Sequence, residues 1–365
     1  MSALFSPIKL ADLTLDNRIT VSPMCQYSAA DGSATDWHVG HLGMLANSGA
    51  ALLVVEATAV ERRGRITHGC LGLYSDDNEA ALARAVAHCR RIGTARLGIQ
   101  LAHAGRKASC YRPWEGGLGL EPEDDPWEPI GPSPIAFGPA WQAPRAMTRD
   151  DMDRVREAFV AAAGRALRLG FDEIELHMAH GYLLHSFMSP ISNKRADAYG
   201  GSADARLRFP LEVAAAVRAA VPRAIPLGAR ITGSDWAAGG MTPDDAVVVA
   251  KALKGLGLDF VCVSSGAIAS DTKIPLGPGY QVPFAETVRR DAAIITRAVG
   301  LIVTPKQGEA IVAEGKADMI ALARAMLDDP RWGWHAAQAL DGEVARPPQY
   351  ARAAPKLWPG AAYRA

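Results

Sequence analysis

His177, His180 and Tyr182 stand within six positions of one another, where an apolar run gives way to polar residues: Phe-Asp-Glu-Ile-Glu-Leu-His-Met-Ala-His-Gly-Tyr at 171–182. Ile174 and Leu176 alternate with Glu173 and Glu175, the period of a strand. A buried strand that stops at two histidines and a tyrosine has the character of a barrel mouth, where ligands are met. Core histidines bonded to backbone are one other reading of the pair. Zinc through His-x-x-His is another, but no third ligand stands nearby and a strand end lacks the helical register. Gln100 and Arg230 also close apolar runs. Such a pair can address a flat heteroaromatic ring by paired hydrogen bonds, and the cation would stabilise negative charge on it. Gly266, Gly300 and Arg324 lie near the ends of the last runs, where barrels often bind phosphate.

Eight short apolar runs alternating with helical patterns must position these groups. The strands are expected at Ile19–Ser22, Ala51–Glu56, Arg96–Leu101, the 171–178 stretch, Pro226–Ile231, Phe260–Ser264, Ala293–Val299 and Met319–Ala323. Expected helices include Trp37–Ser48 capped by Gly49, Asp77–Arg91 ending at Gly93, and one starting at Thr148 with Asp151 at its third position. Leu207–Ala220, Pro243–Leu256, a short helix near Phe284–Asp291, Pro305–Glu314 and Ala325–Leu327 follow. The alternation argues for an α/β fold, a (β/α)8 TIM barrel with an N-terminal hairpin at Leu4–Arg18 acting as a plug. His103–Met147 has no period and reads as a long loop excursion after strand three. Residues 1–365 are expected to form one domain, with about 332–365 as a Pro/Trp/Tyr-rich tail at a subunit interface.

Composition narrows the class. Hydrophobic residues make up 49% and charged residues 21% of 365, enough for a sizeable core. Lys+Arg and Asp+Glu balance at 39 each, so the chain carries no electrostatic footprint for nucleic acid or an anionic membrane. No apolar run is long enough to span a membrane, and Met1–Arg18 lacks the features of a signal peptide. Cys25, Cys70, Cys89, Cys110 and Cys262 are scattered, with no Cys-x-x-Cys pair, which speaks against a disulfide framework or metal cluster and for a reducing cytoplasm.

Several of these segments resemble the Old Yellow Enzyme family of FMN-dependent ene-reductases. They are Pro-Met-Cys-Gln-Tyr at 23–27, Gln100 with His-Ala-Gly-Arg-Lys at 103–107, Glu-Leu-His-Met-Ala-His-Gly-Tyr-Leu at 175–183, Ser-Asn-Lys-Arg-Ala-Asp-Ala-Tyr-Gly-Gly-Ser at 192–202 and Gln-Tyr-Ala-Arg at 349–352. Cys25 and the Gln-Tyr-x-Arg tail are similar to the bacterial, xenobiotic reductase-like branch. The resemblance implies FMN contacts at Pro23, Met24, Cys25, Ala57, Gln100, Arg230, Gly266, Gly300, Ala323 and Arg324. It implies that His177 and His180 hold the carbonyl oxygen of an α,β-unsaturated substrate, that Tyr182 donates the proton, that Tyr27 offers a substrate-side hydroxyl, and that Arg352 crosses to a neighbouring subunit of a homodimer or homotetramer. The implied reaction is reduction of an enone C=C bond by hydride transfer from flavin N5, with NADPH or NADH as donor. The alternatives are a dienoyl-CoA reductase-type flavoenzyme, disfavoured by the missing cysteine cluster, and a flavin-binding barrel that acts as a store or sensor.

Overall fold

The computed structural model describes residues 2–363. In chain order its strands are β1 (Ile8–Leu10), β2 (Leu13–Leu15), β3 (Ile19–Val21), β4 (Leu52–Ala59), β5 (Arg96–Ala102), β6 (Ile130–Gly131), β7 (Arg145–Ala146), β8 (Glu173–Met178), β9 (Leu227–Thr232), β10 (Phe260–Ser264), β11 (Ile295–Ala298) and β12 (Met319–Leu322). Eight of them close a barrel in the order β3-β4-β5-β8-β9-β10-β11-β12. Every barrel pairing is parallel, and β12 returns to β3 through Ile320↔Ile19 and Leu322↔Val21. The (β/α)8 expectation is met. Every residue of β4, β8, β9 and β10 is buried, as parallel strands covered on both faces must be.

Local chemistry starts the surrounding helices where the sequence places them. Ser75, Thr148, Thr242 and Thr304 each accept a hydrogen bond from the backbone N–H three residues on. Asp151 and Asp245 return the bond to complete capping boxes at Arg149–Arg168 and Pro243–Gly255.

The N-terminal hairpin is the expected plug. Antiparallel β1 and β2 put Leu10 and Leu15 against Leu52, Val54, Phe260 and Met319. Above this apolar base lies a charged layer. Arg297 donates from Nη1 to Glu173 at 2.8 Å and from Nη2 to the other oxygen of that carboxylate, and it lies 3.8 Å from Glu175. Its guanidinium stacks 3.8 Å from the Phe260 ring centroid. Gly98 leaves room for this layer, since a Cβ there would come within 3.3 Å of the Glu173 carboxylate.

Several boundaries differ from expectation. The first helix is Asp36–Leu45 with Ala46 as its C-cap, so Gly49 (φ +87) turns the chain into β4 rather than ending the helix. The fifth-strand helix is longer, Ala203–Ala220, because Ser202 caps it. Strand β11 is shorter than predicted at Ile295–Ala298. The excursion at 103–147 contains three 3-10 turns and the short parallel pair β6–β7, held by Gly131 opposite Ala146. The start of the tail is a helix, Trp332–Ala339, whose Gly333 packs on Ser48 and Gly49 so tightly that a Cβ would meet backbone at 2.6 Å.

Candidate active site

At the carboxyl ends of the barrel strands a cavity of about 430 Å³ is lined by Arg230, Ser264, Ser265, Gln281, Gly300, Ala323 and Arg324, with His180 at one side. Ala323 directly precedes the Arg324–Asp328 helix, and Arg324 itself is exposed. Gly300 (φ +115) faces the Gln281 amide, which a Cβ would meet at 2.5 Å. The β10 end makes its turn at Gly266 (φ +76), whose N–H donates to the Ser234 carbonyl at 2.8 Å.

Arg230 is buried on β9. Its Nη1 donates to Ser22 Oγ at 3.1 Å, and its Nε is buried with no partner among the described residues. An orphaned guanidinium N–H at a cavity wall is suited to an acceptor brought by a ligand. Gln100 on β5 is oriented from below: its amide N–H donates to Glu175 Oε1 at 2.7 Å, which turns its carbonyl oxygen the other way. Glu175 belongs to the charged layer, where burial raises its pKa against the pull of Arg297 and Arg230.

The chain leaves β3 through Ser22 into Pro23, Met24 and Cys25, all half-buried. Burial, then Glu56, raises the Cys25 thiol well above its ordinary pKa, so it is a neutral thiol and not a thiolate. Tyr27, held with φ +52, stands edge-on to Trp114 with ring centroids 5.9 Å apart. Ala57 on β4 and Tyr182 line a second, much smaller cavity together with Cys70 and Ala102.

His177, the last inward residue of β8, is buried, and His180 follows in a turn where His180 (φ +60) and Gly181 (φ +73) are both left-handed. Only glycine fits at 181, since a Cβ would come within 2.3 Å of the Ala267 carbonyl oxygen. The turn brings His177 Nε2 and His180 Nδ1 to 3.3 Å from each other. The Tyr182 ring lies edge-on to His177 at 4.7 Å. Burial, reinforced by Arg230, holds both histidines well below their ordinary pKa, so both rings are neutral. Burial keeps the Tyr182 hydroxyl protonated.

The structure thus gathers Arg230, Gly300, Ala323, Arg324 and His180 around one cavity, with His177 and Tyr182 packed beside it. It does not bring Arg352 there: that residue is exposed in the tail, where Tyr350 packs against Trp334. Residues that the sequence reading missed include Ser22, Glu175, Ser264, Gln281 and Lys107. Lys107 Nζ donates to the His180 carbonyl at 2.9 Å and sits 4.9 Å from the Tyr182 ring, and burial lowers its pKa to about 8. Glu173, Glu175 and His177 carried a signal, because charged residues two apart on a buried strand all face the barrel interior and must be paired there.

These groups fit FMN. The orphaned Arg230 Nε could meet the polar edge of the ring, Gln100 stands on β5 with its carbonyl turned away from Glu175, and Gly300 with Arg324 could hold the phosphate. A family model described as the NADH:flavin oxidoreductase / NADH oxidase family matches residues 3–343. An NADPH dehydrogenase of Geobacillus sp. (strain WCH70) is 43% identical over 351 residues, covering 96% of this chain and 98% of that protein. An NADPH dehydrogenase of Listeria innocua serovar 6a (strain ATCC BAA-680 / CLIP 11262) is 42% identical over 355 residues, 97% of this chain and 99% of the relative. Among solved structures, morphinone reductase superposes with a TM-score of 0.76 at 25% identity, covering 95% of this chain and 92% of that one. A 2-naphthoyl-CoA reductase complex has a TM-score of 0.83 at 23% identity; the chain spans about half of it (52%), and the likeness shows the fold alone. By the match over nearly its whole length, the chain belongs to the NADH:flavin oxidoreductase / NADH oxidase family, as an FMN-dependent oxidoreductase of the Old Yellow Enzyme type.

Proposed function

We propose that the protein uses NADPH to reduce the C=C bond of α,β-unsaturated carbonyl compounds. FMN, when bound, would supply the two-electron hydride chemistry that links the nicotinamide to the substrate C=C bond. The chain supplies everything else. Pro23, Met24, Cys25, Ala57, Gln100, Arg230 and Gly266 hold the ring, and Gly300, Ala323 and Arg324 hold the phosphate. Arg230 favours negative charge on the pyrimidine edge. Cys25, neutral and half-buried, would serve as a weakly polar neighbour that tunes the ring without attacking anything.

His177 Nε2 and His180 Nδ1 hold the substrate carbonyl oxygen between them and stabilise the enolate-like charge that grows on it. Tyr182 then gives its hydroxyl proton to the α-carbon as general acid, a role that requires it to be protonated at neutral pH. Tyr27 offers the substrate a further hydroxyl. Arg352, exposed in the tail, is read as reaching the site of a neighbouring subunit in a homodimer or homotetramer. A cytoplasmic place belongs to the same proposal; separately, among the described residues no helix is long and apolar enough to cross a membrane.

The observation that carries this reading is the convergence of two neutral imidazole nitrogens, 3.3 Å apart, beside a half-buried, protonated tyrosine. The purified protein should be yellow, bleach with NADPH under anaerobic conditions and recolour on addition of cyclohexenone. A yellow protein that bleaches but is not recoloured by enones would refute the substrate class. One that NADPH does not bleach would be a flavin store or sensor.

A further inference from the structure

A neutral imidazole has one N–H, so a histidine pair can offer two hydrogen bonds to one carbonyl only if each ring carries its hydrogen on the nitrogen that faces it. For His177 the backbone settles the matter. The Ala179 N–H donates to Nδ1 at 3.3 Å, which leaves the hydrogen on Nε2, toward the substrate. For His180 the corresponding position is Nδ1, and the ring can carry hydrogen there only if Nε2 accepts. The partner of Nε2 is the buried Ser264 hydroxyl on β10, at 2.7 Å.

We propose that Ser264 is a positioning residue for the carbonyl clamp: its hydroxyl donates to His180 Nε2 and thereby holds the hydrogen of that ring on Nδ1. The proposal rests on the reading of His177 and His180 as the pair that binds the substrate oxygen.

The hydroxyl has one hydrogen and two possible acceptors, since Gln281 Oε1 lies 3.1 Å away. The surroundings favour His180. Gln281 donates from Nε2 to the Val299 carbonyl at 3.2 Å, which fixes the direction of its amide. Its Oε1 already receives the Ser265 hydroxyl at 2.6 Å, and Ser265 in turn accepts from Trp236 Nε1 at 2.9 Å. Gln281 Oε1 is thus paired through Ser265 even without Ser264, whose single hydrogen goes to the shorter of its two contacts, His180 Nε2 at 2.7 Å, in place of Gln281 Oε1 at 3.1 Å. With the other tautomer, His180 would donate to Ser264, and its bare Nδ1 would face His177 Nε2. The two histidines would then bond to each other, and neither would offer a free N–H to a carbonyl. Burial keeps both rings neutral, so proton placement, not charge, decides between an open and a closed clamp.

The test uses the FMN-loaded enzyme with phenol as probe, whose oxygen takes the place of the carbonyl. Nuclear magnetic resonance of isotope-labelled histidine should show His180 Nδ1 protonated and Nε2 as a bare acceptor in the wild-type phenol complex; a protonated Nε2 would overturn the proposal without any variant. In titrations of the long-wavelength charge-transfer band, Ser264→Ala should raise the phenol Kd roughly tenfold and Ser264→Thr, which keeps the donor, should recover most of it. An unchanged Kd in Ser264→Ala would also overturn it. The His177→Ala/His180→Ala double variant separates the two claims. If the double variant still binds phenol, the clamp reading fails. If the double variant loses phenol while Ser264→Ala binds it normally, only the role of Ser264 fails.

Discussion

The acid proposed for this site, Tyr182, is a phenol whose surroundings favour its protonated form. Burial raises the Tyr182 pKa, its ring is wedged against His177, and Lys107 approaches its face rather than its hydroxyl. Replacing it by Phe keeps the ring and removes the hydroxyl that carries the proton. In stopped-flow measurements Tyr182→Phe should slow reoxidation by an enone by roughly 10² or more, the range expected for loss of a general acid, and leave reduction by NADPH much less affected. Equal slowing of both half-reactions would exclude proton donation. At this scale the sequence showed the strand-end residues and hid their partners. His177, His180 and Tyr182 are adjacent in the chain and could be read as a group. Ser264, Gln281, Ser22 and Glu175 act through contacts between residues up to 208 positions apart, such as Arg230 with Ser22, and ordinary serines and glutamines give no local sign of such pairing.

Elements were legible to the extent that they end in a chemical signal. Thr148 and Asp151 marked the start of Arg149–Arg168 correctly because a capping box is a local structure. Asp151 does more than cap. Besides the Thr148 N–H at 2.9 Å it accepts from Arg145 at 2.7 Å and Arg154 at 2.9 Å, which hold its pKa well below the usual carboxylate range. A carboxylate whose folded pKa is depressed contributes stability that is complete above its unfolded pKa, about 3.9, and is lost as pH falls below that value. Asp151→Asn should therefore cost about 1–3 kcal/mol at neutral pH, with a smaller difference from wild type near pH 3, measured by calorimetry or denaturant titration. The helix at Trp332–Ala339 had no comparable signal. Its N-cap is Arg331 with no capping side-chain bond, and it is held by Gly333 on the Ser48–Gly49 backbone, a tertiary contact invisible to local pattern.

The alternation of eight apolar runs with helical segments was enough to specify a closed parallel barrel, because few other architectures bury so many strands on both faces. What the alternation could not show is where the last residues go. Tyr350 rests on Trp334 and beneath Arg331, at 4.7 Å, on the side of the molecule that carries Gly49. Exposed Leu357 and Tyr363 follow, at 66% and 89% exposure, more apolar surface than a lone tail gains by showing to water. If this tail serves a neighbour, Arg352→Ala should raise the KM for enones several-fold while leaving the oligomer intact in sedimentation analysis. An unchanged KM would remove Arg352 from the substrate site.

The leucine-lined hairpin at the foot of the barrel, with the Glu173–Arg297 layer above it, has a kinetic corollary. With its base stoppered, the barrel would offer the proposed donor and acceptor the same open end, and each is then expected to vacate before the other arrives. Double-reciprocal rate plots at several fixed enone concentrations should run parallel, and an excess of either reactant should slow turnover by occupying the doorway out of turn.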